Sequence, residues 1–164
     1  MRPSPRSGPV FVKGDGSDGG RAAAAGAGPD RTVVQLDDAE CRALLLGGRI
    51  GRIAFTRNAL PAIQPVLYRL HDGEVVIPAP AGSPFLPTAG ATVVAFGVDS
   101  YDADTCSGWS VTVVGPCRAI ARPAEVAVCR ALPWHPGRTT PLDRRYVGVG
   151  IGLLSGWRTE PRDA

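Results

Sequence analysis

Residues 48–77 constrain this chain more than any other stretch, because they read as three short strands joined by tight turns. Arg49, Ile50, Gly51, Arg52, Ile53, Ala54, Phe55 and Thr56 mix period-two alternation with β-branched and aromatic residues, the pattern of a half-buried strand. Asn58 tolerates positive φ and can bond its own backbone, so it supplies the first turn. Residues 62–70 give a second strand. Pro61 and Pro65 mark it as an edge, a bulge or a strand start, because proline cannot donate to a ladder. Asp72-Gly73 is the strongest hairpin signal in the sequence, and residues 74–77 return from it. A meander of this kind cannot bury its apolar face alone. The remaining sequence has to close it.

Upstream, residues 1–31 are glycine, proline, alanine, serine and scattered charge without periodicity. Such a segment buries too little apolar area to offset its ordering entropy, and it reads as a disordered tail. Gly14, Gly16 and Gly19 resemble a nucleotide loop only superficially, since no strand precedes them and no helix follows. The folded domain is therefore expected over residues 32–160. Val33 and Val34 form a short lead strand. Asp37 caps a helix, with Glu40 completing a capping box, and Cys41, Leu44 and Leu45 form its apolar stripe. Gly47-Gly48 ends it.

Downstream of Ile77, Pro78, Pro80, Pro84 and Pro87 exclude a regular helix or a central strand, leaving at most one helical turn over residues 83–89. Residues 93–98 are a strand, 99–108 a polar loop, and 109–114 a strand that continues past Gly115 and Pro116 to Ile120. Pro123 opens a helix to Leu132, residues 133–137 loop, and 145–154 make a final strand loosened by glycines. About six strands in sequential meander order, with two to three short helices, predict a mainly β chain. A sheet this long closes on itself to remove its edges, giving a small antiparallel barrel.

Composition narrows the function classes. Apolar content of 44% supports a core, and no apolar run approaches the roughly 18 residues that cross a bilayer. No signal-peptide pattern opens the chain, so a cytoplasmic protein without a membrane partner is expected. The net charge of +3 comes from arginines spread along the sequence rather than gathered on one face, which argues against a nucleic-acid footprint. Cys41, Cys106, Cys117 and Cys129 are scattered without ligand spacing and read as buried apolar side chains rather than metal ligands. Asp99, Asp102 and Asp104 match no metal loop and read as a polar turn.

Several segments in one register carry a resemblance. They are residues 48–55, Pro61 through Pro65-Val66 to Tyr68, Asp72-Gly73, Val94-Ala95-Phe96 with Val98-Asp99, and Gly108-Trp109-Ser110-Val111 with Gly115. Pro133-Trp134 and Gly156-Trp157-Arg158 extend it, so that it spans roughly residues 36–159. This order and spacing resembles the actinobacterial pyridoxamine 5′-phosphate oxidase-like flavin-binding proteins. The resemblance implies an FMN-binding split β-barrel, a homodimer, and flavin mononucleotide (FMN) held in a groove between subunits. It also implies a flavin-dependent oxidoreductase acting on a small organic molecule. Carried over by position, the cofactor-binding candidates are Val66, Leu67, Tyr68, Pro78, Ala79, Ser83, Pro84, Trp109, Ser110, Trp157 and Arg158.

The same register exposes a departure. Relatives carry arginine, threonine and lysine where this chain has Pro78, Ala79 and Pro84, and Val-Arg-Ile where it has Val147-Gly148-Val149. Charge-assisted donors to a phosphate contribute about 1.5–3 kcal/mol each. Their loss predicts weak phosphate binding, with riboflavin and FMN separated by less than about tenfold, unless Arg52, Arg69 or Arg158 compensates. Alternatives therefore stay open: a barrel that has lost FMN and reuses its groove as a cofactor-independent enzyme, a haem or small-ligand binder, or a non-catalytic regulatory protein. For acid–base chemistry the candidates are His135, set between Trp134 and Pro136, and Tyr68; His71 precedes the hairpin turn and reads as solvated.

Overall fold

A computed structural model describes residues 31–87, 92–134 and 144–161. The expected tail lies outside these residues apart from Arg31, which begins β1 (Arg31–Gln35). Helix α1 (Asp38–Gly47) opens with the capping box read from the sequence: Asp37 Oδ1 accepts from the Glu40 N–H at 2.8 Å, and the Asp37 N–H donates to Glu40 Oε2 at 3.0 Å. Cys41 and Leu45 are buried on its inner face. The helix does not end in a left-handed cap, because Gly48 is extended (φ −81°, ψ 164°). Glycine is needed there for space: a Cβ would collide with the Tyr68 hydroxyl.

Strands β2 (Ile50–Arg57) and β3 (Leu60–Leu67) are joined by Asn58 and Ala59, both at positive φ (50° and 60°), a two-residue type I′ hairpin. The expected single strand over 62–70 is two strands. At Tyr68 the chain leaves β3, donates its N–H to the Arg49 carbonyl at 3.0 Å, and resumes as β4 (Arg69–His71). Asp72 and Gly73 turn β4 into β5 (Glu74–Ala79), with His71 opposite Glu74. β5 runs two residues past Ile77. Pro78 is tolerated there because β4 pairs no further than Val76, which leaves one side of β5 without a ladder.

β6 (Thr92–Asp102) and β7 (Ser107–Ile120) pair as far as Asp102 opposite Ser107, so most of the expected loop over 99–108 is strand. Only residues 103–106 turn. Asp102 Oδ1 organises that turn by accepting from the Asp104 and Thr105 N–H groups at 2.9 and 3.1 Å. Helix α2 (Pro123–Ala131) follows, then β8 (Arg145–Gly150) and β9 (Leu153–Pro161) where one final strand was expected.

The sheet runs β3-β2-β6-β7-β8-β5-β4, with β9 on β7 and β1 on β9. Among the described residues it has nine strands rather than six, in a non-sequential order, and β3 also meets β5 as it curls into an antiparallel half-barrel. β7 organises the fold. One edge pairs with β6 from Ser107 to Cys117, while the other pairs first with β9 (residues 109–114) and then with β8 (residues 117–120). The barrel splits at Gly115, where the Gly150 carbonyl approaches too closely for any side chain.

Inside lie Ile53, Tyr68, Val75, Ile77, Phe96, Val111, Val113, Val147 and Val149, closed on one side by α1. Under α2, Val76, Ile120, Cys129, Trp134 and Tyr146 form a second cluster. Cys41, Cys117 and Cys129 are buried as expected, whereas Cys106 sits half-buried in the β6–β7 turn. No helix among the described residues is long and apolar enough to cross a membrane.

Candidate functional site

The alternation of a strand decides which side chains reach the mouth of the half-barrel. Phe55 and Arg57 share the inner face of β2, Thr92 and Val94 that of β6, and Ala119 continues the inner face of β7. Together with the segment 81–87 and the start of β8, they enclose an open cavity of about 860 Å³. Phe55, Phe85, Leu86, Val94, Ile120 and Val126 give it apolar walls, and Phe55 and Phe85 meet at 5.9 Å between centroids. Three arginines line it, Arg57, Arg144 and Arg145, and no acidic residue among the described residues does. Tyr146 lines it too. Its ring stacks on Trp134 at 6.0 Å, and its buried hydroxyl makes no hydrogen bond of ordinary geometry among the described residues. Burial pushes the Tyr146 pKa up, against the opposing pull of Arg130 and Arg144.

Among the expected cofactor residues, Ser83 and Pro84 line this cavity. Ser83 Oγ donates to the Pro80 carbonyl at 2.9 Å, and Pro84 is exposed. Pro78 and Ala79 are buried at the end of β5, directly opposite Tyr146 and Arg145 of β8. The remaining candidates fall elsewhere. Val66 and Leu67 end β3, with Val66 in the core.

Trp109 and Ser110 lie across from Arg158 and Trp157 at the far end of β7. Period-two alternation divides these four. Trp109 packs on the core beside Val111, and Arg158 pairs with Glu40 of α1, whose carboxyl is held below its ordinary range first by the Asp37 N–H and then by Arg158. Ser110 and Trp157 stand on the outer face with Leu153, which is 70% exposed.

Tyr68 is fully buried. Its hydroxyl donates to the Leu45 carbonyl at 2.7 Å, its ring meets Phe96 edge-on at 4.8 Å, and burial pushes its pKa up to about 12. This is a structural hydrogen bond, not an acid–base group for neutral pH. His135 lies outside the described residues. His71 is exposed at the rim of a separate cavity of about 260 Å³ under α2, beside Glu74 and Glu125, which both bind Arg118.

The arginines expected to compensate for lost donors are engaged elsewhere. Arg52 pairs with Asp99, Arg69 donates to the Pro133 and Tyr68 carbonyls, and Arg158 pairs with Glu40. Gly148 also lies away from the cavity, since a Cβ there would stand 2.7 Å from Glu74 Oε2. The cavity's own arginines were missed in the sequence because they stand far apart along it. The available signal was Arg57 beside its hairpin turn and the Arg144-Arg145 doublet before an apolar run.

The family model for pyridoxamine 5′-phosphate oxidase matches residues 37–156. Uncharacterized protein Rv0080 from Mycobacterium tuberculosis is 39% identical over 111 residues, covering 63% of this chain and 73% of that protein. Among solved structures, the FAD binding protein from Mycobacterium smegmatis is 26% identical with a TM-score of 0.63, over 79% of this chain and 98% of its own. The FAD and heme binding protein from the same organism shares the fold at 22% identity and a TM-score of 0.65, over 79% of this chain and 76% of its own.

Proposed function

The chain belongs to the pyridoxamine 5′-phosphate oxidase family, and from that premise we propose that it is a flavin-dependent oxidoreductase acting on a small organic molecule. The observation that carries this reading is the cavity at the barrel mouth. At about 860 Å³ it falls in the range of cofactor sites, and its apolar walls suit a planar aromatic ring. Guanidinium donors at its rim suit the anionic end of such a ligand. A fold relative at 26% identity is described as FAD binding, which supports a flavin here. The flavin supplies the electron-transfer chemistry when bound. The chain's residues seat it, keep water off the ring with Phe55, Phe85 and Leu86, and meet its charge.

A second copy of the chain completes the site in this reading. Trp157 and Ser110 lie some ten residues along β7 from Ala119 of the cavity wall, about 30 Å, so one chain does not bring both sets onto one flavin. The outer face also carries an apolar row across five strands: Ile63, Ala54, Ala95, Val114 and Leu153. Ile63 is 71% and Leu153 70% exposed, and an apolar row of this extent favours burial against a like surface. A homodimer of this kind presents Trp157 of one copy toward the groove of the other.

A haem reading has His71 as its described candidate ligand, and that side chain lies at the separate cavity under α2. The flavin-free reading drew on the missing donors at 78, 79 and 84, and the arginine rim offsets that loss. Titration with FMN, followed by flavin fluorescence quenching, tests the proposal, with light scattering for mass. Saturable quenching by a dimer is expected. A monomer that leaves FMN fluorescence unchanged at about 100 µM protein overturns it.

A further inference from the structure

We propose that Arg57, Arg144 and Arg145, with the Tyr146 hydroxyl, form an anion subsite for a phosphate ester, which on the flavin reading above is the phosphate end of the cofactor. Arg57 ends β2 just before its hairpin turn, and Arg144 and Arg145 open β8; the curl of the sheet brings both ends to the same cavity. Nothing described neutralises these three charges. The ion pairs among the described residues involve Arg42, Arg52, Arg118 and Arg158, and no described carboxylate lines the cavity. The three charges come from opposite walls of one cavity, β2 and β8, so an anion between them is met from both sides.

The β5–β8 register supplies a second, independent observation. Pro78 and Ala79 have no side-chain donor, and directly across from them stand Tyr146 and Arg145. Opposed side chains on neighbouring strands start about 5 Å apart: Arg145 shares the inner face with Ala79 and Tyr146 the face under α2 with Pro78, and both line the cavity at the start of β8. Tyr146 is 1% exposed, and its hydroxyl, with the Arg130 guanidinium nearby, makes no hydrogen bond of ordinary geometry among the described residues. Such a group is costly unless it donates to something, and a phosphate oxygen is a strong acceptor. A phosphate monoester carries close to two negative charges, and guanidinium groups meet it in forked pairs. The pyrophosphate of a dinucleotide offers the same chemistry.

The test compares riboflavin, FMN, FAD and inorganic phosphate on the full chain and on the Arg57→Ala/Arg144→Ala/Arg145→Ala variant, with thermal melting as the fold control. Wild type is expected to bind FMN or FAD at least about a hundredfold more tightly than riboflavin. The triple variant should bring that ratio below about tenfold while leaving riboflavin affinity unchanged. Whichever of FMN and FAD loses more affinity identifies the phosphate source. Arg145→Lys should keep part of the preference, which separates charge from mere packing, and Tyr146→Phe should reduce it selectively for phosphorylated ligands.

A ratio that survives the triple substitution overturns the subsite while leaving the flavin reading standing. If no flavin binds but inorganic phosphate stabilises wild type and not the triple variant, the subsite stands and the flavin reading falls. If neither binds, both fall.

Discussion

Replacing Tyr68 by phenylalanine separates a structural tyrosine from a chemical one. The Tyr68 hydroxyl donates to the Leu45 carbonyl at 2.7 Å. Leu45 lies in the last turn of α1, whose cap residue Gly48 is extended, so this carbonyl has passed the reach of the helix's own donors. Both residues are fully buried. Tyr68→Phe keeps the ring and its edge-on contact with Phe96, but strands the carbonyl without water. A buried acceptor left unpaired costs about 1–3 kcal/mol, so a loss near 2 kcal/mol is expected, or roughly 6 °C in Tm for a domain of this size.

Alkaline pH sharpens the test. Burial pushes the Tyr68 pKa up to about 12, above its ordinary value near 10, so the fold favours the protonated phenol. That contribution is fully present below pH 10 and is lost as pH rises from 10 to 12. Cys117, pushed by burial up to about 11, loses its own contribution from pH 9 upward in wild type and variant alike. The stability gap between wild type and Tyr68→Phe, measured by urea unfolding with unchanged m-value, should therefore narrow between pH 10 and 12. No gap at pH 8, or a gap constant through pH 12, refutes the reasoning. Lost redox turnover at unchanged stability would instead restore Tyr68 as a candidate acid–base group.

Other substitutions probe separate features. Ala59→Gly relieves a non-glycine residue at φ 60° in the type I′ turn and should stabilise by about 0.5–1 kcal/mol in thermal unfolding. Arg118→Ala removes a forked pair to Glu74 (2.9 and 2.7 Å) and a longer one to Glu125; with the arginine side chain 42% exposed, screening limits the loss to about 1 kcal/mol, shrinking further in 1 M salt. If the cavity arginines hold the phosphate, Pro78→Arg/Ala79→Thr/Pro84→Lys should improve FMN affinity by less than about tenfold, as read by fluorescence quenching; a gain of a hundredfold would show that the phosphate binds at those positions.

Local chemistry made half of this fold legible in the sequence. Asn58 and Asp72-Gly73 dictate their hairpins within a few residues, and Asp37 with Glu40 closes its cap within one turn. The features that escaped depend on partners distant in the chain. Tyr68 breaks its strand because its N–H finds Arg49 and its hydroxyl finds Leu45, neither of which is a neighbour in sequence. The break between β8 and β9 arises where Gly150 meets Gly115, which no periodicity in residues 145–154 encodes. For the site, family register brought Ser83 and Pro84 to the cavity, but not Trp109 or Arg158. Arg57 joins Arg144 and Arg145 only through the pairing of β2, β6, β7 and β8.

A flavin shared between two copies predicts complementation. Arg57→Ala/Arg144→Ala/Arg145→Ala removes the charged rim of a chain's own cavity, and Trp157→Ala removes the residue expected to reach the partner's groove. Each homodimer should hold little FMN. A heterodimer isolated with two different affinity tags has one site carrying both defects and one native site, so it should recover about half the wild-type FMN content. A heterodimer as empty as its parents, or a Trp157→Ala homodimer that loads fully, contradicts a groove built from two chains.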